Sequence, residues 1–428
     1  MGAPSSADPF EAALSDFRAG DLASAGARVN SILAREPLHA PALHLAGEIA
    51  ARGGDLEAAL GKLTAASAAA PVPEVLASLA RVHWRLGDTR CAAATARESL
   101  AARPGFAPAL LVAAFCDHAS GDAAGCRQAL AAAGLPEADP VIVEFAFQAI
   151  AEIVRDGRRV FADASPVPIG TTPLSLTIVT CSIDAQKLAR CEEALRAALA
   201  PGFRRLRFLD PRSIAGAYNE ALADTRTDAI VFVHDDVEIL TPNLDVLLAR
   251  ALARADIVGI AGTRSLAGPT LGWSGQRDLR GWLVHGDSES ATWDFSALAL
   301  RGGLQGGMQG LDGCFIAART AAARAIGFDA GTFDAFHLYD LDFSLRAQRA
   351  GLAVAVDSEI LLAHASRGRL GPAWEEQARR FKAKFAPIGE APSRPNHFHA
   401  ARLSGKDEAL RLHAELNGFC AALGSRES

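Results

Sequence analysis

The stretch DAIVFVHDDVEIL (228–240) decides how the second half of the chain is read. Residues 229–233 form an unbroken apolar run rich in β-branched side chains, the pattern of a buried strand. The run ends in two adjacent acids, Asp235 and Asp236. Neighbouring carboxylates repel, and burial raises the cost of ionising them. A divalent cation removes both difficulties, because Mg2+ and Mn2+ favour carboxylate oxygen. Taken alone, the pair supports a metal site and a solvent-exposed or capping pair equally well.

Working outward, strands and helices alternate. LSLTIVTCS (174–182) and LRFLD (206–210) are short strand patterns. DAQKLARCEEALRAALA (184–200) is amphipathic, and SIAGAYNEALADT (213–225) is a helix capped by Ser213. Thr241-Pro242 opens a helix and DIVGIAGT (256–263) is another strand. This order predicts an α/β domain with a mostly parallel sheet and ligands at the strand carboxyl ends. Residues 264–310 read as coil, with Trp273, Trp282 and Trp293 as candidate sugar-stacking or core residues. Beyond them come the strand LDGCFIAAR (311–319), a helix within AFHLYDLDFSLRAQRAG (335–351) and a strand in LAVAVDSEILLAHAS (352–366).

The first third has a different grammar. Gly-Asp pairs recur at 20–21, 54–55, 87–88 and 121–122, with Pro37, Pro71 and Pro104 on the same beat. Each unit reads as helix, Gly-Asp turn, helix, Pro turn, a solenoid that buries one continuous core and leaves a concave groove. His83 and Trp84 are candidate groove contacts, with core the better reading for Trp84. ASPVPIGTTP (164–173) is a linker by composition. The expected organisation is repeats over 1–135, a helical linker over 136–173, the α/β domain over 174–385 and a C-terminal tail with a helix over 386–428.

Composition bounds the function. A net charge of -6 leaves no excess of cations to neutralise a phosphate backbone, which argues against nucleic acid as a partner. No apolar run approaches the roughly 20 residues of a membrane span. Seven cysteines without a Cys-x-x-Cys pair fit reduced thiols in a cytoplasmic setting. His397 and His399 form a His-x-His read as surface residues.

Two resemblances follow. The 33–34-residue period resembles the tetratricopeptide repeat over about residues 8–135, which implies a protein partner in the groove. The strand ending in His234-Asp235-Asp236 resembles the Asp-x-Asp segment of the GT-A glycosyltransferases, above all family 2 and its relatives. That resemblance covers about 174–385 and implies a divalent metal, Mn2+ or Mg2+, and a nucleotide-sugar substrate. Asp236 is then the principal metal ligand. His364 stands where a late metal-binding His falls, while Arg367 and Arg369 are candidates to neutralise diphosphate. His234 replaces the first Asp and either faces the ribose or stays structural, with Asp235 beside it on the donor side. Thr180 and Cys181 match positions that hold the base. Asn219 matches a nucleotide-facing residue, and Tyr218 is placed to stack or to pack.

YDLDFSLRAQRAG (339–351) resembles the family's Glu-Asp-x-Asp segment, so Asp340 carries over as the acceptor's base. Tyr339 stands in place of the Glu. Asp342 and Arg346 read as a structural i,i+4 ion pair. The resemblance implies a metal-dependent inverting sugar transferase, and the repeats point to a protein acceptor such as flagellin or another surface protein. Oligomers are compatible with the same architecture. The alternatives are transfer to a lipid-linked or polysaccharide acceptor and a non-catalytic scaffold whose transferase domain has decayed.

Overall fold

The computed structural model describes residues 8–135, 140–162, 173–269, 276–286, 292–366, 371–386, 388–389 and 399–424. The chain divides into two compact units, residues 1–160 and 161–428.

The first unit is helical throughout its described residues. Its helices are α1 (Pro9–Ala19), α2 (Leu22–Arg35), α3 (Ala40–Gly53), α4 (Leu56–Ala69), α5 (Pro73–Arg85), α6 (Thr89–Ala102), α7 (Ala107–Ala119), α8 (Ala123–Ala132) and α9 (Pro140–Arg155). α1 to α8 form four antiparallel pairs. At each Gly-Asp turn the glycine takes a left-handed conformation, which ends the first helix. The following Asp caps the second helix through its side chain. Small residues let the paired helices approach closely: a Cβ on Gly47 would lie 2.6 Å from Leu63. Trp84 is core, at 2% exposure.

α9 adds a contact that the repeat pattern does not foretell. Its Glu152 pairs with Arg81 at 3.2 Å and with Arg85 at 3.5 Å, both on α5. Asp156, just beyond α9, holds Arg85 at 2.7 Å, and Arg81 also pairs with Glu48 of α3 at 2.6 Å. α9 is thus held to α5 directly and, through Arg81, to α3, the first helices of two successive pairs.

The second unit is α/β. In chain order its elements are β1 (Leu176–Ser182), α10 (Ala185–Ala198), β2 (Arg204–Leu209), α11 (Ile214–Asp224), β3 (Ala229–His234), β4 (Val237–Ile239), α12 (Leu244–Leu252), β5 (Ile257–Gly259), β6 (Ala261–Ser265), β7 (Arg277–His285), β8 (Trp293–Ala297), β9 (Leu304–Gly306), β10 (Gly310–Leu311), β11 (Phe315–Arg319), α13 (Thr320–Ile326), α14 (Tyr339–Arg349), β12 (Val354–Asp357), β13 (Leu362–His364), α15 (Pro372–Lys384), β14 (His399–Leu403) and α16 (Lys406–Ala422). The main sheet runs β2-β1-β3-β11-β5-β12-β9. One face packs on α10 and α12. The other packs on an aromatic layer that includes Tyr218, Phe232, Phe328, Phe343 and Phe381.

The expectation of a mostly parallel sheet is corrected: the sheet is mixed. β1 is parallel to β2 and β3, and β5 to β12, but β11 is antiparallel to both β3 and β5. The reason is where β11 starts. Its first residue, Phe315, lies opposite Val233 near the end of β3, so the chain enters β11 from the carboxyl edge. No helical crossover carries it back to the far edge, as a parallel pairing requires.

The expectation of coil over 264–310 is also corrected. A second sheet runs β10-β6-β7-β13-β4, with β8 on β7 and β14 on β8. Glycines there mark close strand approach rather than irregular chain. Gly281 has φ +108°, and a Cβ on it would sit 2.0 Å from the Ile260 carbonyl. Trp282 is fully buried and donates to the Ala299 carbonyl at 2.7 Å, and Trp293 is buried in β8. Both are core, not sugar-stacking surfaces. Trp273 lies outside the described residues.

His399 is buried in β14 opposite Ala297, which corrects its reading as a surface residue. Its neighbour His397 lies outside the described residues, as do Arg367 and Arg369. No helix among the described residues is long and apolar enough to cross a membrane.

Candidate active site

Three elements converge at the carboxyl end of β3. Residues 229–233 are fully buried, so the strand is fixed and its polar end is delivered at the sheet edge. β4 follows at once and pairs antiparallel with β13, His364 lying opposite Val237. The Ala365 N–H closes this corner on the Asp236 carbonyl at 3.0 Å. The register brings His364 Nε2 to 3.3 Å from the Asp236 carboxylate. α14 contributes its first turn, Tyr339 and Asp340, entered through Leu338 in a left-handed conformation.

His234, Asp236 and His364 each offer a ligand atom, and these atoms all lie within 4.8 Å of one another. Two imidazoles and a carboxylate favour a first-row transition-metal cation over Mg2+, because such ions accept imidazole nitrogen more readily. Burial opposes ionisation of Asp236, but the hydrogen bond and charge of His364 outweigh it and hold the carboxyl well below its ordinary range. His364 is raised: burial works against its charged form and Asp236 more than compensates. Burial, helped by His364, pushes His234 down to about 4, so its ring is neutral and free to act as a ligand.

Asp235 points elsewhere. It accepts the Ser182 hydroxyl at 2.6 Å, and burial raises its pKa. Through Ser182 the acid pair connects to a cleft of about 390 Å³ at the carboxyl ends of β1 and β2. Its lining includes Ile183, Asp184, Leu188, Leu209 and Asp210.

His234 and Tyr339 each replace an acid in the pattern that the sequence resembles, and they touch each other. His234 Nε2 and the Tyr339 hydroxyl are 2.7 Å apart. A ring nitrogen held this way fixes the orientation of a metal-binding imidazole. The two replacements are therefore one matched pair.

Asp340 is half-buried and accepts the Gly313 N–H at 2.9 Å. Burial, reinforced by the nearby charge of Asp312, raises it to about 7. Gly313 sits directly against α14: a Cβ there would lie 2.6 Å from the Tyr339 hydroxyl and 2.9 Å from Asp340 Cβ. Gly313→Ala therefore shifts the first turn of α14. A displacement of about 1 Å at reacting groups costs about 10²-fold in turnover. Steady-state rates with a nucleotide sugar check this, and an unchanged rate contradicts it.

Tyr218 is fully buried among Phe232, Phe328 and Tyr339, so of its two readings, stacking or packing, it packs. Asn219 spends its amide on Phe328, donating to its carbonyl at 2.7 Å and accepting its N–H at 2.8 Å. This corrects its reading as a nucleotide-facing residue: it braces the loop before α14. Thr180 is buried inside β1. Cys181 is half-buried beside Asp235, and burial pushes its thiol up to about 12. Ser182, one residue further along, is the β1 side chain at the mouth. Asp342 forms its ion pair with Arg346 and a second with Lys384 at 2.5 Å, so it anchors α14 to α15.

Ser182, Asp312 and Gly313 are site residues that sequence reasoning missed. Leu-Asp-Gly before an apolar run carried a signal, an acid at a strand boundary followed by a residue without a side chain. It becomes meaningful only once β11 is known to start at the carboxyl edge.

One family model matches part of the second unit. Residues 177–379 fit the family model described as "Glycosyltransferase like family". The second unit is a glycosyltransferase-like domain. No curated protein matches the chain. Solved structures similar to the chain include a tetratricopeptide repeat protein from Parabacteroides merdae, at 20% identity and TM-score 0.28, covering 36% of this chain and 70% of the other. A thermophilic TPR protein of Thermus thermophilus gives 17% identity and TM-score 0.30, covering 36% and 88%. An O-GlcNAc transferase mutant of Thermobaculum terrenum gives 18% and 0.26, covering 52% of this chain and 45% of that one. The chain joins a unit of paired helical repeats to a glycosyltransferase-like domain.

Proposed function

We propose that the chain is a metal-dependent inverting glycosyltransferase that moves a sugar from a nucleotide-sugar donor to a protein acceptor. The observation that carries this reading is the cluster of His234, Asp236 and His364 near the Asp340 carboxyl, which is raised to about 7. His234, Asp236 and His364 would hold the cation. Bound there, it supplies positive charge that offsets the charge growing on the leaving diphosphate. The cleft beside Ser182 receives the nucleoside end of the donor, its apolar wall formed by Ile183, Leu188 and Leu209. Asp340 takes the proton of the acceptor hydroxyl as that oxygen attacks the anomeric carbon. A single displacement of this kind inverts the configuration.

The matched pair of His234 and Tyr339 supports a working site over a decayed one. The repeat unit supports a protein acceptor, flagellin or another surface protein being one such class, because tethering raises the acceptor's effective concentration at the site. α9 takes part of the repeat surface, so the acceptor's seat lies on the remainder.

The test uses the full chain with a labelled nucleotide sugar and cell extract. Label is expected in the protein fraction, not the lipid extract, and only with added divalent cation. Mn2+ or Co2+ is expected to act at lower concentration than Mg2+, because two of the three ligands are imidazoles. Asp236→Ala is expected to abolish the signal. Turnover that persists in Asp236→Ala, or that needs no cation, refutes the metal assignment. Label found only in lipid refutes the acceptor assignment alone.

A further inference from the structure

A second cluster of metal-ligating side chains lies in the first unit, at the turn between α5 and α6. The four Gly-Asp turns share one geometry. The Asp backbone N–H bonds the carbonyl five residues back: Asp16, Ala50, His83 and Asp117, at 2.8–3.0 Å. The Asp side chain accepts the N–H three residues ahead: Ser24, Ala58, Cys91 and Gly125. Every repeat therefore gathers the residues at these two offsets around a capping carboxylate. The flanking pairs are Asp16 with Ser24, Ala50 with Ala58, and Asp117 with Gly125. The third repeat alone of the four places an imidazole and a thiol there.

The ligand atoms of His83, Asp88 and Cys91 lie within 4.8 Å of one another. Tetrahedral zinc has bonds of about 2.0–2.3 Å to nitrogen, oxygen and sulfur, a geometry that rotation of these side chains reaches from the present spacing. One Asp88 oxygen caps α6 by accepting the Cys91 N–H at 2.9 Å, and the carboxylate also bonds the Cys91 thiol, whose proton a metal ion would displace. His83 and Cys91 are half-buried and Asp88 is exposed, so an ion reaches them from solvent.

We propose that His83, Asp88 and Cys91 form a zinc site that staples α5 to α6. Sulfur and imidazole donors select Zn2+ over Mg2+ and Ca2+, and the fourth position is left to water. The site is separate from the cluster in the glycosyltransferase-like domain, which contains no thiol among its ligands. In a repeat array each unit is stabilised by its neighbours, so a staple in the third repeat stabilises the whole first unit.

Cobalt titration of the untagged, reduced full chain tests this. Co2+ is expected to give a thiolate-to-cobalt charge-transfer band that Zn2+ bleaches. The band is expected to vanish in Cys91→Ser and in His83→Ala. Both substitutions suit the turn, since the first repeat has Ser24 at the Cys91 position and the second has Ala50 at the His83 position. Circular dichroism confirms folding, and Zn2+ is expected to raise the melting temperature of the parent but not of Cys91→Ser. Absence of the band, or a band that survives Cys91→Ser, overturns the proposal.

Discussion

Asp340→Asn is expected to lower sugar transfer by about 10²–10⁴-fold, the range for losing a general base. The same substitution is expected to stabilise the metal-free protein at alkaline pH. Burial raises the Asp340 carboxyl from 3.8 to about 7, so between those values the folded chain holds a proton that the unfolded chain has released. Stability therefore falls as pH rises through that window, by at most roughly 4 kcal/mol. Asn accepts the Gly313 N–H as Asp does but carries no charge. Its melting temperature is expected to match the parent's near pH 4 and exceed it at pH 8. The parent's activity is expected to rise with pH up to about 7 and then level off, because the base must be ionised to work. A variant that is inactive but no more stable at pH 8 contradicts the raised carboxyl. A variant with full activity contradicts the base.

Arg81→Ala is expected to destabilise the first unit by about 3–5 kcal/mol, the range for breaking a buried ion pair by removing one partner. Arg81 joins Glu48 on α3 to Glu152 on α9, and their side chains are 13%, 18% and 8% exposed. Removing the guanidinium leaves Glu48 with no cation in its pair. Arg85 keeps a longer contact with Glu152 at 3.5 Å, so loss of the seat is partial there. Urea unfolding followed by helix signal measures the cost, and a loss below about 1 kcal/mol contradicts a buried network. Restoring stability by making Arg81, Glu48 and Glu152 apolar together is the expected companion result, since an apolar set removes the desolvation cost as well.

The parts of this architecture that were legible in the sequence are those set by local physics. Gly-Asp turns at a 33–34-residue beat specify helix pairs because the left-handed glycine and the capping Asp act within a few residues. The apolar run before His234 specifies a buried strand for the same reason. The less legible parts depend on which strand lies beside which. Nothing near Phe315 says that β11 runs against β3, so neither the mixed sheet nor the arrival of Asp312 and Gly313 was visible. Tyr218 and Asn219 have the composition of ligand-facing residues, and only the packing of Phe232 and Phe328 shows them turned inward. His234 and Tyr339 look like two separate losses in one dimension. They are 105 residues apart in sequence and 2.7 Å apart in space, and only the fold shows that one orients the other. α9 is apolar enough to read as a linker helix, while its acids matter because α5 presents two arginines one helical turn apart.

The central claim is that a nucleotide-sugar donor and a divalent cation share the site at the end of β3. Thermal denaturation of the full chain with UDP-, GDP-, dTDP- and CMP-sugars, each with and without Mn2+, tests it most directly. The account predicts that at least one donor raises the melting temperature only when Mn2+ is present, and that Asp236→Ala abolishes that rise. No Mn2+-dependent rise with any donor, or an undiminished rise in Asp236→Ala, would contradict it.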